Sequence, residues 1–277
     1  VLLCAYASHG DTKHVLLFPR GPHEAFEFGA QAFDLADRLQ TPVFVMLDLD
    51  TGMNQHLCAP FEWDDSRKFD RGKVMTADEL EAGRDFGRYL DVDGDGVPYR
   101  TYPGTHPTRG AYFTRGTSRD RYARYTEEGG PYADNMERLL RKFDTAKRYA
   151  PAPILQKAAK PTRIGVIHYG STSFAMDEAL QLLAESGVDV DALRIRSFPF
   201  SREVTDFIAE HEQVFVVEQN RDAQLRTLLM VECGVDPAQL APVLHYDGTP
   251  ITARFIARAI AAKSLGAPSP EMRKVMS

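Results

Sequence analysis

The side chains best placed to do chemistry in this 277-residue sequence fall in four groups. The first is the loop Ser8-His9-Gly10-Asp11-Thr12-Lys13-His14. His9, with Asp11 two residues on, suits general acid–base work or hydrogen bonding to a substrate oxygen, because a neutral imidazole donates and changes charge near neutral pH. Ser8, Gly10 and Lys13 share that loop; the competing reading is a histidine that only caps or bridges it. The second group follows strand ends in the second half. Ser171, in Tyr169-Gly170-Ser171, could hold a phosphate on backbone N–H groups, although the stretch has neither GxGxxG spacing nor a Walker lysine. Glu218 ends an apolar strand and needs a partner there, with Asn220 two residues away. Helix capping and packing between domains is the favoured role for this group.

The third group is Asp91-Val92-Asp93-Gly94-Asp95-Gly96, which matches the first half of a calcium-binding helix–loop–helix motif. The second half fails, since Pro98 intervenes and Tyr102 stands where the bidentate glutamate belongs. A plain acidic turn competes with a calcium or magnesium site. The fourth is Thr108 to Tyr125, where Arg109, Arg115, Arg119, Arg121 and Arg124 alternate with Tyr112, Phe113, Tyr122 and Tyr125. Cations interleaved with aromatics serve single-stranded nucleic acid, subunit interfaces or the phosphates of a cofactor. Glu127 and Glu128 dilute the charge at once, so a protein interface is the expectation. Asp48 and Asp50 end a strand without metal-ligand spacing.

Composition narrows the classes. A net charge of −6 argues against a general nucleic-acid binder. Three dispersed cysteines, Cys4, Cys58 and Cys233, cannot ligate a four-thiolate iron–sulfur cluster by themselves, and their scarcity points to a reducing, cytoplasmic setting. No apolar run approaches a membrane span. The apolar opening VLLCAYA, with no initiating Met, is expected of a truncated or processed chain.

Apolar runs at Val15 to Phe18 and Pro42 to Leu47 suit buried parallel strands, and the residues between them form a helix. Gly21 and Pro22 fit its N-cap and first position, and Glu24 faces the positive end of its dipole. Phe26, Ala30 and Phe33 make one apolar stripe and Phe28, Ala32, Leu35 and Leu39 a second, so cover on more than one side is expected. A right-handed crossover puts the ends of both strands on one sheet edge, where ligands of such sheets bind. The loop 8–14 enters from the opposite end. Residues 55–131 have little periodicity, Asp134 to Arg148 is helical, and the prolines of 149–162 mark a linker. From Arg163, strands at Arg163–His168, Asp191–Ser197, Gln213–Glu218 and Ala241–His245 alternate with four helices, an open, mostly parallel α/β domain over 163–265 with a tail at 266–277.

SHGDTKH before a strand, then AFDLADRLQTPVFVMLD, resembles the alpha subunit of 2-oxoacid:ferredoxin oxidoreductases, most of all its 2-oxoglutarate-type members. The resemblance continues through GRYLDVDGDGVPYRTYPGTHPTRGAYFTRGTSRDRYARY to VVEQNRDAQL. It implies an α/β fold in which 1–148 is the second half of a thiamine-diphosphate pyrimidine-binding-like domain, followed by a domain like the transketolase C-terminal one. It also implies oxidative decarboxylation of a 2-oxo acid to acyl-CoA with electrons to ferredoxin, a beta subunit carrying a [4Fe-4S] cluster, and thiamine diphosphate with magnesium in the whole complex. The loop 8–14 is then the substrate side. Two departures stand out. Tyr6-Ala7-Ser8-His9-Gly10 lacks the arginine of the family's Tyr-Gly-Arg-His-Gly string, which removes a bidentate carboxylate clamp. The family's Tyr-Pro-Ile-Thr-Pro segment and activating glutamate are not in the sequence, so the chain looks like the later part of a subunit, inactive alone. A thiamine enzyme of transketolase or dehydrogenase type and a non-catalytic binding module are the alternatives.

Overall fold

The computed structural model describes residues 1–8 and 11–264. His9, Gly10 and the expected tail lie outside the described residues. Helix α1 (Leu2–Ala5) leads to strand β1 (Val15–Leu17), helix α2 (Pro22–Leu39) and strand β2 (Val43–Val45), with β1 and β2 parallel. Gly21 is the α2 N-cap and Pro22 follows it, as the sequence predicts. Phe28, Leu35 and Leu39 bury against Val15, Leu17, Val97 and Ala146. The stripe of Phe26, Ala30 and Phe33 is only partly covered: Phe26 stacks on Phe61 with ring centroids 5.0 Å apart, whereas Phe33 is 78% exposed.

Helix α3 (Leu49–Met53) follows β2 directly, and α4 (Ala77–Glu81) lies in the irregular stretch before α5 (Gly129–Ala146). Helix α5 begins ahead of the expected Asp134, because Pro131 falls in its first turn, where a missing N–H costs no intrahelical bond.

The second half contains β3 (Ile154–Gln156), β4 (Ile164–His168), α6 (Thr172–Glu185), β5 (Asp191–Arg194), β6 (Ser197–Phe198) and α7 (Arg202–Glu210). Then come β7 (Gln213–Glu218), α8 (Gln224–Cys233), β8 (Leu240–Leu244) and α9 (Ala253–Ser264). The larger sheet runs β3-β5-β4-β7-β8, parallel except for β3 at the edge. Met176, Leu183, Ile256 and Ile260 of α6 and α9 cover one face; Phe207 and Leu228 of α7 and α8 cover the other.

One expected strand divides. Asp191–Ser197 becomes β5, then β6, and β6 leaves the larger sheet to pair antiparallel with β1, Leu16 opposite Phe198. Phe198 and Phe200 thereby bury with Leu16 and Phe18, and the same cluster takes in Ile167, Leu193 and Val216 of the larger sheet. Both sheets therefore share one core.

Candidate functional site

The C-terminal strand ends of the two sheets meet. Asp48, after β2, caps α3 by accepting the Thr51 N–H through Oδ1 at 2.8 Å, and its Oδ2 accepts the Ser171 N–H, after β4, at 2.8 Å. Gly170 has a φ of +61°, and a Cβ there would stand 2.7 Å from Asp48 Oδ2. Glycine is thus required twice over, by conformation and by the close carboxylate. Gln219 Nε2 donates to Ser171 Oγ at 2.9 Å and Thr172 Oγ1 at 3.2 Å. The Ser171 N–H, expected to suit a phosphate, is met by an internal carboxylate.

Glu218 is fully buried and accepts from Leu225 N–H (2.7 Å), Arg226 N–H (2.9 Å) and Asn220 Nδ2 (2.8 Å). Burial raises its pKa; the three donors work the other way. Asn220 Oδ1 in turn accepts the Asp222 and Gln224 N–H groups. The partner that Glu218 needs is therefore the amino end of α8, a capping role.

A cleft of about 740 Å³ opens between α3 and the turns after β7 and β8. Asp48, Asp50, Gln219, His245 and Thr249 supply its polar lining, with Leu49, Met53 and Tyr246 as the apolar part. Its volume and mixed walls suit a small-molecule ligand. The His245 ring is held by the Thr249 carbonyl at 2.9 Å and Asp247 Oδ1 at 3.1 Å, edge-on to Phe255. The sequence marks Gln219 only as part of the loop after a strand, at the expected ligand edge, and His245 only as the last residue of an expected strand.

The loop before β1 sits at the other end of that strand. Ser8 Oγ lies 2.7 Å from His14 Nε2, and Lys13 Nζ pairs with Glu232 Oε2 at 2.7 Å. Glu232 also accepts the Tyr6 hydroxyl, and Asp11 accepts that of Tyr132 at 3.4 Å. Burial, then the Lys142 charge, lowers the pKa of His14, whose Nδ1 is buried without a partner. Lys13 is thus anchored at the carboxyl end of α8, Asp11 on Tyr132 of α5 and Ser8 on His14, and none of the three shares a hydrogen bond with Ser171, Glu218 or Asn220.

The acidic turn has its own cation. Asp91, Asp93 and Asp95 bring ligand oxygens within 4.8 Å of one another, but Lys73 Nζ donates to Asp93 (2.5 Å), Asp95 (2.7 Å) and the Val97 carbonyl (2.9 Å). Arg141 pairs with Asp91 at 3.1 Å. Gly96 has a reason unrelated to calcium: a Cβ would lie 2.2 Å from the Lys142 backbone nitrogen of α5. The geometry favours the acidic-turn reading. Lys73→Met is expected to destabilise the chain by about 1–2 kcal/mol, leaving partly buried carboxylates uncompensated. Millimolar calcium should not raise the thermal midpoint of the unaltered chain; a rise of several degrees would restore the metal reading.

Several arginines of the 108–125 segment are tied down internally. Arg109 donates to the Leu80 carbonyl at 2.6 Å, Arg121 pairs with Asp134 at 3.0 Å, and buried Arg119 lies over the Phe113 and Tyr125 rings.

No family model matches the chain. It is 28% identical over 262 residues to 2-oxoacid:ferredoxin oxidoreductase 2, subunit alpha, of Aeropyrum pernix, covering 92% of this chain and 39% of that one. It is 27% identical over 250 residues to 2-oxoglutarate synthase subunit KorA of Methanothermobacter thermautotrophicus, covering 86% of this chain and 61% of that protein. The chain is a relative of the 2-oxoacid:ferredoxin oxidoreductase alpha subunits. A solved 2-oxoglutarate:ferredoxin oxidoreductase from Magnetococcus marinus superposes on all of this alpha-subunit relative with a TM-score of 0.79, at 17% identity and over 45% of that chain. This likeness establishes the shared α/β fold. The alpha-subunit relative spans about two fifths of the length of the first of these proteins, 39%.

The cofactors expected from that family do not fit the described residues. Cys58 is exposed while Cys4 and Cys233 are half-buried, and Asp91, Asp93 and Asp95 form the one described group of three or more His, Cys, Asp or Glu ligands, so no four-thiolate cluster site is present among these residues. The half-buried Glu24 and the buried Glu218 are both engaged by internal donors, Glu24 by Arg20, Arg194 and Arg196 and Glu218 by Asn220, Leu225 and Arg226. Among the described residues no helix is long and apolar enough to cross a membrane.

Proposed function

We propose that this chain is the later part of the alpha subunit of a cytoplasmic 2-oxoacid:ferredoxin oxidoreductase, with 2-oxoglutarate as the first substrate to try. The reading is carried by the alignment of alpha subunits and 2-oxoglutarate synthase subunits along 86% to 92% of the chain. In the whole complex a 2-oxo acid would lose carbon dioxide, its acyl group would pass to coenzyme A, and two electrons would pass to ferredoxin. Thiamine diphosphate with magnesium and an iron–sulfur cluster would supply that chemistry from elsewhere in the complex, the cluster on a beta subunit.

This chain's part is positioning. Loop 8–14, with His9 and Asp11 as hydrogen-bonding groups and Lys13 anchored on Glu232, would form one wall of the substrate region. The Asp48–Ser171 contact would hold the two sheet edges in register for whatever docks there. The residues 1–148 and 163–265 would act as two domains around the shared core, and the Arg/Tyr segment would face another subunit.

Oxygen-free affinity purification of the chain from its source tests the reading. The expected material contains a second polypeptide, a broad iron–sulfur absorption and thiamine diphosphate. Thiamine without an iron–sulfur chromophore would favour a transketolase-type enzyme instead. A colourless single chain that binds single-stranded DNA with steep salt dependence would replace the reading altogether. The isolated chain is expected to oxidise no 2-oxo acid.

A further inference from the structure

A second cavity, of about 390 Å³, lies over the β3-β5-β4 half of the larger sheet, whereas the cleft above lies by the ends of β7 and β8. Its walls come from both halves of the chain: Arg20 and Glu24 at the start of α2, His168 at the end of β4, Ser173 in the first turn of α6, and Arg194 at the end of β5.

His168 is only 5% exposed yet lines this space. Ser173 Oγ donates to the Gly170 carbonyl at 2.8 Å and stands 3.4 Å from His168 Nδ1. With its proton committed, the hydroxyl can only accept from the ring, which places the imidazole proton on Nδ1 and leaves Nε2 a bare acceptor. Nε2 has no partner among the described residues. Burial, then the neighbouring Arg194 charge, lowers the His168 pKa to about 3, so the ring stays neutral.

The charges around the cavity are unequal. Arg194 and Arg196 both pair with Glu24, exceeding it by one positive charge. Arg20 adds a second, since its exposed guanidinium makes no hydrogen bond or ion pair among the described residues. Asp177, exposed at the rim, offsets part of this. The 18-residue helix α2 starts beside Arg20 with no side chain capping it; Pro22 brings no N–H and Glu24 already faces the dipole, so the amino end adds to the Arg20 charge only through the N–H groups that follow Pro22.

We propose that this cavity binds a phosphate monoester bearing a free hydroxyl, the class of polyol and sugar phosphates. The phosphate sits against Arg20 and the amino end of α2, and the hydroxyl donates to His168 Nε2. The cationic surplus favours the phosphate anion, and the neutral acceptor selects for the hydroxyl.

Calorimetric titration of the full chain with glycerol 3-phosphate, at constant ionic strength, tests the site. Saturable binding at about 1 mM or tighter is expected. Arg20→Gln should weaken it about fivefold or more while leaving the ligand-free thermal midpoint in place, because the replaced group is exposed and unpaired. Methyl phosphate, which lacks the hydroxyl, should bind several-fold more weakly. No saturable binding up to about 20 mM, an undiminished Arg20→Gln variant, or equal affinity for methyl phosphate would each overturn the proposal.

Discussion

Glu24→Ala is expected to cost about 3–5 kcal/mol of folding stability, measured by chemical denaturation at neutral pH. Glu24 accepts from both terminal nitrogens of Arg194 (2.6 and 2.8 Å), from Arg196 Nε (2.9 Å) and from the Arg20 N–H (2.9 Å). Arg194 is 7% exposed, so truncating Glu24 strands a guanidinium in the interior. The cluster also ties α2 to β5 and to the residue before β6, linking the two halves of the chain. Burial alone would raise the Glu24 pKa, but the hydrogen bonds from Arg194 and Arg20 and the charges of both arginines bring it down to about 2. The folded state thus holds this proton less tightly than the unfolded chain, whose value is 4.5. The stabilisation is complete above about pH 4.5 and is lost as pH falls toward about 2. Glu24→Ala should therefore flatten the acid limb of the stability curve. An unchanged acid limb, or a loss below about 1 kcal/mol, would show that the cluster contributes little.

The second large effect has the opposite sign. Lys142 is packed near Leu39, Leu139 and Ala146, and its Nζ has one hydrogen bond, to the Gln40 carbonyl at 3.1 Å. Burial, then the charges of Arg138 and Arg88, lowers its pKa from 10.5 to about 7. Between those values the unfolded chain binds more protons than the folded one, so stability rises with pH across that window, and below about pH 7 the full penalty of a buried ammonium applies. Lys142→Met keeps the volume and removes the charge. It is expected to stabilise the chain by about 3 kcal/mol at pH 6, with the gain shrinking above pH 7 and gone near pH 10.5. A destabilised variant at pH 6 would mean that the Gln40 contact outweighs the desolvation.

Much of the fold was legible because local signals agreed. Gly21-Pro22 starts α2 where the sequence places it, and the alternation after Arg163 yields the parallel strands β4, β5, β7 and β8. Glu218 also behaved as elementary electrostatics requires, finding backbone donors at α8. Contacts between distant segments left no such trace. Nothing local in Asp48 announces that its carboxylate will hold the Ser171 N–H 123 residues away. The departure of β6 toward β1 is likewise set by Phe198 and Phe200 finding Leu16 and Phe18, a packing choice made only once both sheets exist. The acidic turn shows a third reason. Its spacing imitates a calcium loop, and Lys73, close in space but outside the motif, supplies the positive charge.

The central claim is that the chain serves a 2-oxo acid oxidoreductase, and ferredoxin reduction by the native complex tests it most directly. Under oxygen-free conditions, the complex captured through this chain should reduce ferredoxin when given 2-oxoglutarate or another 2-oxo acid. That activity should require coenzyme A and follow the chain through every purification step. A complex that retains the chain and reduces ferredoxin with no 2-oxo acid tested would contradict the account.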